Sequence, residues 1–187
     1  MIQQDGGDVL IDGVNLKNLP HEYVREHLVA LPQDSYIFDG TVRLNVDPKG
    51  KATDDQIIDV LQKVHLWDKV ESRGGLDTKI NDDFFSLGES QLLVFARAML
   101  RDSKILILDE FTSSLDDDAG AIVEELMNTN FQDWTVIAVA HKLDSIVNFD
   151  RVAVMDAGVF AEIGNPQELL QHSDSIFAEM FNAKYKK

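Results

Sequence analysis

Two hydrophobic periods alternate along this chain. Short runs of branched apolar residues, which read as strands, are separated by stretches where apolar positions recur every three to four residues, which read as helices. The strongest run is Lys104-Ile105-Leu106-Ile107-Leu108-Asp109-Glu110. Its four consecutive apolar residues predict a strand buried on both faces of a parallel sheet. Val9–Ile11, His27–Leu31 and Thr135–Ala140 predict further strands, and Arg151–Met155 with Val159–Ile163 predicts a hairpin around Asp156-Ala157-Gly158. Helices are predicted from Pro20 to about Glu26, after the capping box Thr53-Asp54-Asp55-Gln56, from Ser86 through Leu100, over Asp118–Asn130, and from Gly164-Asn165-Pro166 through Phe181. Residues 34–85 are charged, broken by Gly74-Gly75 and without a strong strand, so they read as a helical lobe inserted into an α/β core formed by 1–33 and 86–187. The alternation predicts a three-layer α/β fold.

Polar residues stand where these strands end. Gln33 follows Pro32, Asp109 and Glu110 end the organising strand, and His141 follows Ala140. Ligands of open α/β sheets sit beyond the carboxyl ends of the strands. Adjacent acids at such a tip suit a magnesium–nucleotide site, one holding the metal's water shell and the next orienting a water. Taken singly, an acidic pair can also be a surface turn and a histidine a structural one.

Composition narrows the classes. The 187 residues are 44% hydrophobic, enough for one domain with a sizeable core. A net charge of −16 argues against a nucleic-acid partner and against a polybasic membrane anchor. There are no cysteines, hence no disulfide or thiolate metal site. The longest apolar runs fall far short of the ~20 residues that span a bilayer, so direct membrane insertion is not expected.

With these residues in place, the chain resembles the nucleotide-binding domain of ABC transporters, closest to the second such domain of the multidrug-resistance, conjugate-exporter C subfamily. Leu31-Pro32-Gln33-Asp34 resembles the family's Q-loop, and Phe38-Asp39-Gly40-Thr41-Val42-Arg43-Leu44-Asn45-Val46-Asp47-Pro48 the stretch after it. Phe85-Ser86-Leu87-Gly88-Glu89-Ser90-Gln91 resembles the signature motif, and Ile105–Glu110 the Walker B strand. Ser113-Ser114-Leu115-Asp116 is similar to the D-loop, and Ala140-His141-Lys142-Leu143 to the switch-histidine motif. The resemblance covers essentially the whole chain.

It implies an incomplete P-loop NTPase-type fold that acts on ATP with Mg2+, paired with a second nucleotide-binding domain and with transporter membrane domains, on the cytoplasmic face of a membrane. It also implies residue roles. Asp109 and Gln33 would hold the metal, Gln33 would also reach the attacking water, Glu110 would act as general base, and His141 would contact the γ-phosphate. Ser86, Leu87, Gly88 and Glu89 would meet ATP held by the opposing domain, with Ser114 and Asp116 signalling between the two sites.

Three departures qualify the match. Glu89 stands where the family usually has Gln, so a carboxylate faces the nucleotide. Ser90 stands where a basic residue is usual. The phosphate-binding motif G-x-x-x-x-G-K-[ST] does not occur: the one Gly-Lys pair, Gly50-Lys51, is followed by Ala52. The chain therefore reads as starting after that loop, and alone it is expected neither to bind ATP tightly nor to hydrolyse it. The competing expectation is a non-catalytic regulatory or remnant module that pairs with an intact domain.

Overall fold

The structure, a computed structural model, describes residues 6–33, 36–81, 83–111 and 115–184. A small hairpin opens it, β1 (Leu10–Ile11) against β2 (Val14–Asn15), turning through Asp12 and Gly13, both at positive φ. Only the first of these strands is legible in the sequence. Helix α1 (His21–His27) follows Pro20. Leu28 caps it, so the next strand, β3, is Val29–Leu31 and starts two residues later than expected.

Helices α2 (Val42–Val46), α3 (Asp54–Lys63) and α4 (Trp67–Ser72) come next, and then α5 (Leu87–Met99), β4 (Ile105–Asp109), α6 (Asp117–Thr129) and β5 (Thr135–Val139). The predicted capping boxes form at both Thr53/Gln56 and Ser86/Glu89. The hairpin β6 (Val152–Asp156) and β7 (Val159–Gly164) precedes α7 (Pro166–Leu169) and α8 (Ile176–Lys184). The single helical region expected from 164 to 181 is thus two helices. The Glu162 carboxylate accepts hydrogen bonds from the Ser175 hydroxyl at 3.0 Å and the Phe177 N–H at 2.8 Å, and this side-chain cap restarts the helix.

The sheet is parallel, in the order β3-β4-β5, with Leu31 beside Leu108 and Asp109 beside Val139. Helix α5 lies at the heart of the core. Phe95 is fully buried, its ring 5.9 Å from that of Phe111 and 5.2 Å from that of Phe131. Each such apolar side chain contributes roughly 1.5–3 kcal/mol by leaving water. The same apolar cluster runs on into α2, α3 and α4 through Val46, Leu61 and Val70.

One expectation is corrected here. Alternate residues of the sheet differ in burial: Leu106 and Leu108 are buried, Ile105 and Ile107 only partly so, and Ile137 and Val139 are 52% and 54% exposed. The organising strand is therefore buried on one face. Among the described residues β5 hydrogen-bonds only to β4, which leaves its outer edge open.

Candidate functional site

Register builds the site. Because Leu31, Leu108 and Ala138 lie abreast, Gln33, Asp109, Glu110 and His141 all emerge from one edge of the sheet within three residues of that row. Glu110 leaves β4 with φ +52° and donates its backbone N–H to the Val139 carbonyl at 3.0 Å. That hydrogen bond extends the ladder by one rung and turns the side chain towards the end of β5. His141 Nε2 then lies 2.6 Å from Glu110 Oε1. The imidazole is 74% exposed and the carboxylate 26% exposed, so this histidine is no buried structural residue. The pair can pass a proton or polarise a water at the sheet edge.

Asp109 and Gln33 are exposed on the same edge. Among the described residues no group of three or more His, Asp or Glu side chains could hold a metal by itself. A carboxylate and an amide oxygen nonetheless suit magnesium, which is bound through one or two such groups together with substrate phosphates and water.

A second pairing lies at the N-terminus of α5. Ser86 caps the helix, its hydroxyl accepting from the Glu89 N–H at 3.1 Å, and Glu89 Oε2 accepts the Ser86 N–H at 2.7 Å. Lys69, on α4, donates to the same Oε2 at 2.5 Å. Burial pushes the Glu89 carboxyl up, but Lys69 and the Ser86 groups outweigh it and hold it below the usual carboxylate range. The carboxylate expected to face a nucleotide is therefore paired with a cation. Leu87 is exposed, and Gly88 is buried against Asp116, the N-cap of α6, whose Oδ1 accepts from the Ala119 N–H at 2.8 Å. Ser114, the other expected D-loop residue, lies outside the described residues, as does Asp34.

A third cluster, which motif reading missed, fixes the segment that follows Gln33. Arg97 of α5 donates to the Asn45 carbonyl at 2.6 Å and the Tyr36 carbonyl at 3.2 Å, and its guanidinium lies 4.6 Å from the Phe38 ring centroid. Buried Asn45 closes the loop, accepting the Phe38 N–H at 2.7 Å and donating to the Phe38 carbonyl at 2.9 Å. Neither Arg97 nor Lys69 stands near its partners in sequence, so no local signal marks them.

Residues 1–113 match the family profile described as ABC transporter. The chain belongs to the ABC transporter family. It is 53% identical over 194 aligned residues to the ABC multidrug transporter lscH of Purpureocillium lilacinum, covering 97% of this chain and 12% of that protein. It is 41% identical to ABC transporter C family member 3 of Dictyostelium discoideum, covering 92% of this chain and 12% of that protein. A solved bacterial Atm1-family ABC exporter with ATP bound superposes with a TM-score of 0.88 at 28% identity, covering 98% of this chain and 32% of that one. The chain thus spans about one eighth of the length of the curated ABC transporters it matches, and what it matches in them is a nucleotide-binding domain. No helix among the described residues is long and apolar enough to cross a membrane.

Proposed function

We propose that this chain supplies the hydrolytic edge and the signature face of an ATP-driven exporter's nucleotide-binding domain. The observation that carries the reading is the Glu110–His141 contact at the tips of two registered parallel strands. Glu110 would take the proton of the attacking water, and His141 would hold the Glu110 side chain and offer a charge-stabilising contact to the γ-phosphate. Magnesium would neutralise charge on the phosphates, with Asp109 and Gln33 as its protein donors. Ser86, Leu87, Gly88 and the capped helix behind them would meet the ATP of a second nucleotide-binding domain. Asp116, against Gly88, would connect that face to the start of α6. Membrane domains are the remaining partners, with this part on the cytoplasmic side and residues 34–85 acting as the helical lobe.

The phosphate loop would come from outside residues 1–187. Two features favour a strand and helix docking beside β5: its open edge, and a trough of about 660 Å3 between β5 and α6 lined by Leu108, Val123, Met127, Val136 and Phe149. The test is phosphate release by the chain joined to, or mixed with, a segment bearing that loop. Turnover that Glu110→Gln abolishes supports the reading. Micromolar MgATP binding by residues 1–187 alone, measured by calorimetry, would overturn the need for the added loop.

The absent motif also favours a second reading, a non-catalytic module that pairs with an intact domain through Ser86–Gly88 and Asp116. ATP-dependent pairing without any turnover after the loop is added would select it.

A further inference from the structure

We propose that Lys69 is the positioning residue of the signature segment: its ammonium, delivered from α4, cancels the charge of Glu89 and fixes the capping box. Ser86, Leu87 and Gly88 then face an opposing triphosphate with no uncompensated carboxylate behind them. The proposal rests on the signature reading given above.

The geometry separates two jobs that Glu89 could be doing. As a cap it needs only an oxygen to accept the Ser86 N–H, which it does at 2.7 Å. Glutamine in that position would make the same hydrogen bond without charge. The negative charge is therefore surplus to the cap, and at the N-terminus of a 13-residue helix it sits where an incoming phosphate would be repelled. Lys69 removes that surplus. Its Nζ lies 2.5 Å from the very oxygen that accepts from Ser86, so one carboxylate oxygen carries both contacts. The ammonium has a second contact: Nζ stands 5.7 Å from the centroid of the Phe85 ring, the residue that leads into the cap. Lys69 and Glu89 are 30% and 29% exposed, more shielded than an ordinary surface pair. Ser90 brings no cation of its own, and the chain's net charge of −16 makes a neighbouring cation scarce.

Neutralisation by Lys69 and direct phosphate binding by Lys69 predict different double variants. The test uses the full chain with MgATP and a separately prepared nucleotide-binding domain that has an intact phosphate loop and blocked hydrolysis; pairing is followed by sedimentation velocity. Lys69→Met keeps an unbranched side chain of similar length and removes the charge. It is expected to raise the ATP concentration for half-maximal pairing about tenfold, the scale of a partly shielded charge pair. Lys69→Met with Glu89→Gln, which removes both charges together, should return pairing to the wild-type value. Wild-type pairing in Lys69→Met overturns the proposal, and so does a double variant as impaired as Lys69→Met, since Lys69 would then be touching phosphate or only propping the fold. If the unaltered chain does not pair, or pairs as well with Ser86→Ala, the signature reading falls and the proposal falls with it. A separate measurement needs no nucleotide: in the 187-residue chain, the Glu89 carboxyl followed by NMR should titrate at higher pH in Lys69→Met than in wild type. An unchanged titration would overturn the Lys69–Glu89 coupling whatever the pairing results show.

Discussion

Gly88 and Asp116 compete for one space: a Cβ built on Gly88 would lie 2.8 Å from Asp116 Oδ2. The absent side chain lets the start of α5 and the start of α6 approach. Gly88→Ala must therefore push the carboxylate aside and release the Ala119 N–H it caps. We expect a loss of about 1 kcal/mol, the usual worth of an N-cap. In an Asp116→Ala background the sign should reverse, because alanine is favoured over glycine in a helix by up to ~1 kcal/mol once nothing blocks it. Urea unfolding of the four members of this cycle measures the coupling.

Glu110 and His141 should matter to chemistry and little to stability. Once a phosphate loop completes the site, Glu110→Gln is expected to slow phosphate release by ~10²–10⁴-fold, the range for losing a general base. The unfolding midpoint of residues 1–187 should move by no more than about 0.5 kcal/mol equivalent. Because the two side chains touch, Glu110→Gln with His141→Ala should be scarcely slower than the worse single variant. Multiplicative losses would show that the two act independently.

Arg97 is a half-buried cation that donates to the Asn45 and Tyr36 carbonyls and to Asn45 Oδ1, with its guanidinium on the Phe38 ring. Burial pushes its guanidinium pKa down, yet it remains charged at neutral pH. Arg97→Met strands the Asn45 and Tyr36 carbonyls and is expected to cost roughly 2–3 kcal/mol. Hydrogen exchange at the Phe38 amide should accelerate with it. Lysine at this position keeps the charge but not the planar fork, so it should recover only part of the loss.

Acid should loosen the helical segment first at Arg43. The Asp54 and Asp77 carboxyls, each hydrogen-bonded by Arg43, are held below their ordinary value of 3.8. A carboxyl lowered in the folded state adds stability above its unfolded pKa, and that stability disappears as pH falls through the folded value. Thermal melts of the wild type should therefore steepen downward below about pH 4. Arg43→Met should flatten that acid limb while lowering the plateau near neutrality. Equal slopes in both proteins would remove Arg43 as the cause.

Much of the candidate site was legible because it depends on period and termination. Four apolar residues ending in Asp109-Glu110 make a strand tip wherever the strand is placed, and Pro32 and Ala140 end the neighbouring strands just before Gln33 and His141. Parallel register then brings the tips together without further instruction. The remainder depends on contacts between distant segments. Lys69 reaches Glu89 across 20 residues, and Arg97 reaches Asn45 across 52. Neither pair leaves a local pattern. The break before α8 has a local signal in Ser175, whose hydroxyl accepts the Ala178 N–H at 3.1 Å, while the contact from Glu162 on a hairpin strand leaves none. Ile105–Leu108 is buried on one face and not two because a run of apolar residues records a strand's capacity for burial, while actual coverage depends on what packs there.

Glu110 occupies left-handed backbone at φ +52°, a conformation that costs an L-residue with a side chain about 1–2 kcal/mol relative to glycine. Replacing it by glycine should therefore make the polypeptide harder to unfold. A screen of random variants for heat resistance alone would favour that exchange and discard the carboxylate. Directed evolution of this domain for robustness would thus need an activity filter at position 110, or its most stable products would be its least useful.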